Sequence, residues 1–149
     1  MNKQYFFING IPRAGNTLLA SLLNQNPDIR ATANSFTLNL MHQIASKKND
    51  DIFTHFPDHQ SIDDVIENII PSYYKNWNCK YIIERSLVGL EGNLKLLKKY
   101  FKQPIKIIVL VRDIHEVLAS FLKVFAELNA PKDKARDSLM SDEGMVGIS

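Results

Sequence analysis

The residues with the clearest chemical potential form one short stretch, Gly10-Ile11-Pro12-Arg13-Ala14-Gly15-Asn16-Thr17. Its outline is G-x-x-x-x-G-x-T. Glycines let a backbone curl until successive N–H groups point inward, and a helix beginning at Thr17 adds the positive end of its dipole. Such a nest binds the oxygens of a phosphate or a sulfate. The residue before Thr17 would be Lys in a nucleoside-triphosphate loop, where it reaches the β- and γ-phosphates. Here it is Asn16, and a positive charge stands inside the loop at Arg13 instead. Arg offers a fork of donors suited to an anion with several oxygens. The composition therefore favours a phosphorylated ligand other than ATP or GTP with Mg²⁺. Read alone, the same residues also suit a plain turn between a strand and a helix.

A second polar point follows the most apolar run of the chain. Arg112 comes directly after Ile107-Ile108-Val109-Leu110-Val111, and Ser120 lies about two helical turns further on. An Arg at a strand end near a helix start suits a phosphate, with a hydroxyl as second donor. A surface Arg paired with Asp113 or Glu116 accounts for the same residues.

These positions need elements to hold them. Tyr5-Phe6-Phe7-Ile8 predicts a buried strand, and Leu18, Leu19, Leu22 and Leu23 a helix that Asn26-Pro27 ends. Phe36 to Lys47 predicts a helix with Leu40, Met41, Ile44 and Ala45 inward; Lys48 to Gln60 predicts a loop. Ser61 with Asp64 predicts a capped start for a helix carrying Ile62, Val65, Ile66, Ile69 and Ile70, bent or ended at Pro71. Tyr81-Ile82-Ile83 predicts a short strand. A helix with Leu90, Leu94, Leu97 and Phe101 follows, then the strand Ile105–Val111. Asp113 with Glu116 caps a last helix whose core face is Ile114, Val117, Leu118, Phe121, Leu122 and Phe125. Strands alternating with helices predict a parallel sheet, with ligands at the carboxyl ends of its strands.

The 149 residues suffice for one domain, spanning 1–149, that buries roughly two thirds of its unfolded surface. A net charge of +2 fits a small anionic ligand and argues against a nucleic-acid groove. No apolar run approaches the roughly twenty residues of a membrane span, and the N-terminal run is too short for a leader. One cysteine, Cys79, precludes an internal disulfide and is expected to be a buried thiol. These features lead to the expectation of a cytoplasmic protein.

Taken together, the two polar points resemble a known family. Tyr5 to Leu19 looks like the 5′-phosphosulfate loop of sulfotransferases, in the form G-x-P-R-[SA]-G-[ST]-T-L-[LM] of tyrosylprotein sulfotransferases and their bacterial and viral relatives. Leu23-Asn24-Gln25-Asn26-Pro27 is similar too, and Ile107 to Ser120 resembles the family's 3′-phosphate segment. The resemblance implies a three-layer α/β fold of the P-loop NTPase-like kind around a central parallel sheet. It implies transfer of a sulfuryl group from 3′-phosphoadenosine 5′-phosphosulfate (PAPS) to a hydroxyl or amine, without a metal. Arg13, Ala14, Gly15, Asn16, Thr17 and Leu18 would then hold the 5′-phosphosulfate, and Arg112 with Ser120 the 3′-phosphate. Tyr81-Ile82-Ile83-Glu84-Arg85-Ser86 resembles the segment that ends in a cation near the transferred group. Arg85 is therefore implied, with Arg13, as a catalytic residue that stabilises charge on the bridging oxygen. A salt bridge from Arg85 to Glu84 or Glu91 is the alternative.

Two departures qualify the resemblance. The tyrosylprotein enzymes carry a Glu general base where this chain has Asn34, and Asn cannot take a proton. His42, His55, His59 and His115 are the groups that titrate near neutrality. His55 and His59 have a zinc-like spacing, but Pro57 spoils it, so both are expected in a loop. Family members also usually continue past the position of Ser149, so the expected domain is incomplete at its C-terminal end. Two other readings stand beside the transferase: a P-loop kinase or nucleotide hydrolase, and a non-catalytic module that binds the donor nucleotide.

Overall fold

The computed structural model describes residues 3–129. It divides into a compact unit ending at Arg112 and a second unit beginning at Asp113. The first holds a four-stranded, all-parallel sheet in the order β2-β3-β1-β4. Its strands are β1 (Gln4–Gly10), β2 (Ile29–Ala31), β3 (Tyr81–Arg85) and β4 (Ile107–Leu110). β1 is central because Tyr5, Phe7 and Ile8 are apolar on both faces of the pleat, as a strand covered by helices on both sides requires. It pairs with β3 (Phe7 opposite Glu84, Ile8 opposite Arg85) and with β4 (Gly10 opposite Leu110). From β1 the chain runs through α1 (Asn16–Leu23) to β2 on one side; from β3 it crosses through α5 (Glu91–Tyr100) to β4 on the other. The loop after β1 thus opens where the sheet changes direction of growth, the place where such sheets bind ligands.

One face of the sheet packs on α2 (Thr37–Ser46), α4 (His59–Tyr73) and α5. Tyr5, Phe7 and Ile82 meet Leu38, Met41, Ile66, Ile70, Tyr74 and Leu97 there. Phe101 sets its ring edge-on to Tyr5 and Phe7, at centroid distances of 5.6 and 5.5 Å. The other face packs on α1, where Ile8, Ile83 and Ala31 surround Ala20. Helices on both faces of a parallel sheet make the expected three-layer α/β arrangement. Cys79 lies buried in the larger core, and burial pushes its thiol pKa up, as for an inert packed cysteine.

Several local expectations are corrected. β2 had no sequence signal, being three residues long, and it forms because Asn24 brackets Ala31 through both its backbone groups. Lys48 to Gln60 is not a continuous loop: a 3-10 turn (Lys47–Asn49) leads into the short helix α3 (Asp51–His55). His55 closes α3 and His59 opens α4, so neither is a loop residue. The cap of α4 is Asp58, which accepts from the Ser61 N–H at 3.0 Å and from its hydroxyl at 2.7 Å. Asp64 instead accepts from Gln60. Pro71 stays within α4, since a proline in the last turn removes only one helical bond.

The second unit is described as α6 (Ile114–Asn129), whose first turn is capped by Asp113 Oδ1 accepting from the His115 N–H at 2.8 Å. Ile114, Leu118 and Leu122 of its expected core face are each more than half exposed.

Candidate functional site

The loop after β1 is shaped by three local features. Arg13 has φ 68° and Gly15 φ 99°, both in the left-handed region, so the chain doubles back twice before α1 begins. Gly15 is the N-cap of α1, and the first bond along the helix runs from the Leu19 N–H to the Gly15 carbonyl at 2.9 Å. The N–H groups of Asn16, Thr17 and Leu18 precede that bond and project from the helix end. The third feature is Asn16 itself. Its side chain is buried and folds back under the loop, donating to the carbonyls of Gly10 at 3.2 Å and Ile11 at 3.0 Å. Where a triphosphate loop would extend a lysine toward its ligand, this chain has an amide that stitches the loop closed. Gly10 makes room for it: a Cβ there would stand 2.4 Å from Asn16 Oδ1.

Arg112, just past β4, reaches the same loop. Its Nη1 donates to the carbonyl of Arg13 at 2.9 Å. The first unit therefore brings two guanidinium-bearing residues, 99 positions apart, to one loop. Ser120 lies on α6 in the second unit.

Below the loop lies a cavity of about 270 Å³ lined by Gly10, Pro12, Asn34, Ser35, Arg85 and Ser86, among others. It sits at the carboxyl ends of β1 and β3. Arg85 spans its wall: Nη1 donates to the Ala33 carbonyl at 2.7 Å and to Asn34 Oδ1 at 3.3 Å, and its backbone N–H donates to Thr32 Oγ1 at 2.9 Å. The expected base position and the expected cation are thus in direct contact. The alternative partners of Arg85 are engaged elsewhere. Glu91 pairs with Lys95 at 2.6 Å, and Glu84 projects from the opposite face of β3.

Glu84 is the residue that sequence reasoning passed over as no more than an ion-pair partner. It is fully buried, and Thr37 Oγ1, equally buried, donates to its Oε1 at 2.5 Å. Burial holds its carboxyl above the ordinary range, opposed chiefly by the hydrogen bond from Thr37. Tyr74 is itself pushed well above the usual tyrosine range by burial and by the neighbouring Glu84. The available signal was a charged residue at an inward position of the strand Tyr81–Arg85, where apolar residues normally stand. Of the histidines, His42 contacts Asn93 at 2.7 Å, and His55 and His59 are exposed. His115 lies on α6.

The site thus has a loop leading into a helix start, one arginine within that loop and a second bonded to it, and a polar cavity with a third arginine beside it. No curated protein matches this sequence. A family model described as "Sulfotransferase family" matches residues 5–143 of the 149, spanning the loop, the cavity and Arg112. The chain accordingly belongs to the sulfotransferase family.

Proposed function

We propose that this protein binds PAPS and transfers its sulfuryl group to a hydroxyl or amine. The observation that carries the reading is the Arg112–Arg13 contact: a cation from the end of β4 lies on a phosphate-type loop whose lysine position holds a buried Asn16. ATP chemistry needs that lysine. A ligand phosphorylated at both ends of its ribose needs two anion sites, and a loop with an arginine at its rim supports them. In this reading the N–H groups of Gly15 to Leu18, with Ala14 and the Arg13 guanidinium, hold the 5′-phosphosulfate. Arg112 holds the 3′-phosphate, with Ser120 carried over from the same family segment. Arg85 faces the transferred group from the cavity wall and offsets charge on the bridging oxygen, while the cavity admits the acceptor.

Calorimetry with adenosine 3′,5′-bisphosphate and with ATP, each with and without Mg²⁺, tests this. Tight metal-independent binding of the bisphosphate and weak binding of ATP are expected. ATP binding that requires Mg²⁺, with none of the bisphosphate, would return the chain to the kinase class. A second reading, donor binding without transfer, draws support from Asn34, whose amide accepts from Arg85 where the relatives it resembles carry a base.

A further inference from the structure

The base missing at Asn34 has a counterpart deeper in the fold. Three side-chain oxygens run from the cavity wall into the core. Ser35, half-buried, lines the cavity. Its Oγ lies 3.1 Å from Thr37 Oγ1, which lies 2.5 Å from Glu84 Oε1. The direction of these bonds follows from donor counting. Thr37 has one hydroxyl proton and gives it to Glu84, so the Ser35 hydroxyl must donate to Thr37. Ser35 Oγ then accepts from the Thr37 N–H at 3.2 Å and, over a long 3.4 Å, can accept from the Tyr74 hydroxyl. That last, poorly filled lone pair is the one a substrate in the cavity can use.

The carboxyl itself is not what a purely structural role would select. Glu84 Oε2 is buried with no hydrogen-bond partner among the described residues. A carboxylate held this way is costly, and a glutamine or an apolar side chain would pack there with less penalty. We propose that Glu84 is the proton acceptor of the transfer step, working at one remove from the substrate through Thr37 and Ser35.

The proposal rests on the sulfotransfer reading above. As the acceptor hydroxyl or amine attacks sulfur, its proton passes to Ser35 Oγ. The Ser35 proton moves to Thr37, and the Thr37 proton to Glu84 Oε1, leaving a neutral carboxylic acid. The new bond forms between the acceptor atom and sulfur. The bond from sulfur to the bridging oxygen of the 5′-phosphate breaks, and its electron pair stays with the bisphosphate. The proton returns along the same path when the product leaves.

The surroundings suit this use. Burial makes Glu84 a stronger base than a surface glutamate. The titratable group facing it is Tyr74, just past the end of α4, whose hydroxyl burial keeps protonated. From β1 its register partner is Phe7, and from α2 its partner is Thr37. Arg85, next in the strand, directs its guanidinium to Ala33 and Asn34.

The test uses the full chain, ³⁵S-labelled PAPS, and water and 2-naphthol as acceptors, with kcat followed from pH 5 to 9. The wild type is expected to gain rate with pH through one ionisation above the ordinary carboxyl range. Glu84→Gln and Thr37→Val should lose that rise and about 100-fold in plateau kcat, within the usual contribution of a positioned base. Thr37→Ser should restore the profile. Ser35→Ala, at a half-buried position that tolerates truncation, should lose at least about 10-fold. Adenosine 3′,5′-bisphosphate should bind all variants within about threefold of wild type, since none touches the nest. An unchanged pH profile in Ser35→Ala and Thr37→Val overturns the relay. So does a wild type that binds the bisphosphate yet transfers to neither acceptor, an outcome that leaves the donor-binding reading intact. Absence of bisphosphate binding to the wild type removes the sulfotransfer reading itself, and the relay with it.

Discussion

Arg112 Nη1 donates a 2.9 Å hydrogen bond to the backbone carbonyl of Arg13, so the end of β4 is tied to the loop that follows β1. This bond makes Arg112 an anchor of the loop, and the proposed function gives it a second, separable role as a ligand of a phosphate at the loop's rim.

Arg112→Ala separates them. Affinity for adenosine 3′,5′-bisphosphate should fall by about 10- to 100-fold, the size expected for a charge-assisted hydrogen bond. Affinity for adenosine 5′-phosphosulfate, which lacks the 3′-phosphate, should fall by no more than a few-fold. Calorimetry with both ligands decides. Equal losses would reduce Arg112 to a loop anchor.

The loop's own packing gives a second prediction. A Cβ on Gly10 would overlap Asn16 Oδ1 at 2.4 Å and crowd the Leu110 Cβ at 3.0 Å. Gly10→Ala should cost about 1–3 kcal/mol by denaturant unfolding, typical of overpacking a close-fitted site. Asn16→Ala removes the obstacle along with its two hydrogen bonds, so the double variant should be less destabilised than the sum of the singles. A coupling below about 0.5 kcal/mol would mean the two residues do not compete for space.

Arg85 should divide binding from turnover. Arg85→Ala is expected to lower kcat with PAPS by about 100- to 1,000-fold, as loss of one donor at a developing charge does. The bisphosphate dissociation constant should change little. Arg85→Lys keeps the charge but not the fork to Ala33 and Asn34, and should recover only part of the rate. A matching loss in bisphosphate affinity would place Arg85 on the nucleotide instead.

The buried carboxyl makes stability depend on pH in a stated direction. Burial raises the Glu84 pKa above its unfolded value, so between the two the folded state binds more protons than the unfolded one. Its contribution is then full below the ordinary carboxyl value and declines as pH rises through the raised one. Urea unfolding of the wild type should show this decline superimposed on the other groups' titration. Glu84→Gln should lack it and be relatively more stable at the alkaline end. A wild-type minus variant difference that is flat with pH would mean the carboxyl titrates as in the unfolded chain.

Much of this protein was legible in its residues. The run Tyr5–Ile8 followed by Gly10 and Thr17 sufficed to predict a strand, an anion loop and a helix, because strand burial, glycine freedom and helix dipoles act locally. A parallel α/β sheet followed from the alternation of such segments and the Arg112 candidate from its strand end, while the three-layer P-loop-like class and the Arg85 candidate came from the family resemblance. What the tertiary structure decided is which distant groups meet. That Asn16 stitches the loop depends on Gly10 lying against it. That Arg112 reaches Arg13 depends on β4 pairing beside β1. That Arg85 holds Asn34 while Glu84 turns to Thr37 depends on the pleat of β3, which sends neighbours to opposite faces. The strand pattern set Glu84 at an inward position but did not say what covers that face. Only the packing of α2 and α4 over that face removes Glu84 from water, and so raises its basicity.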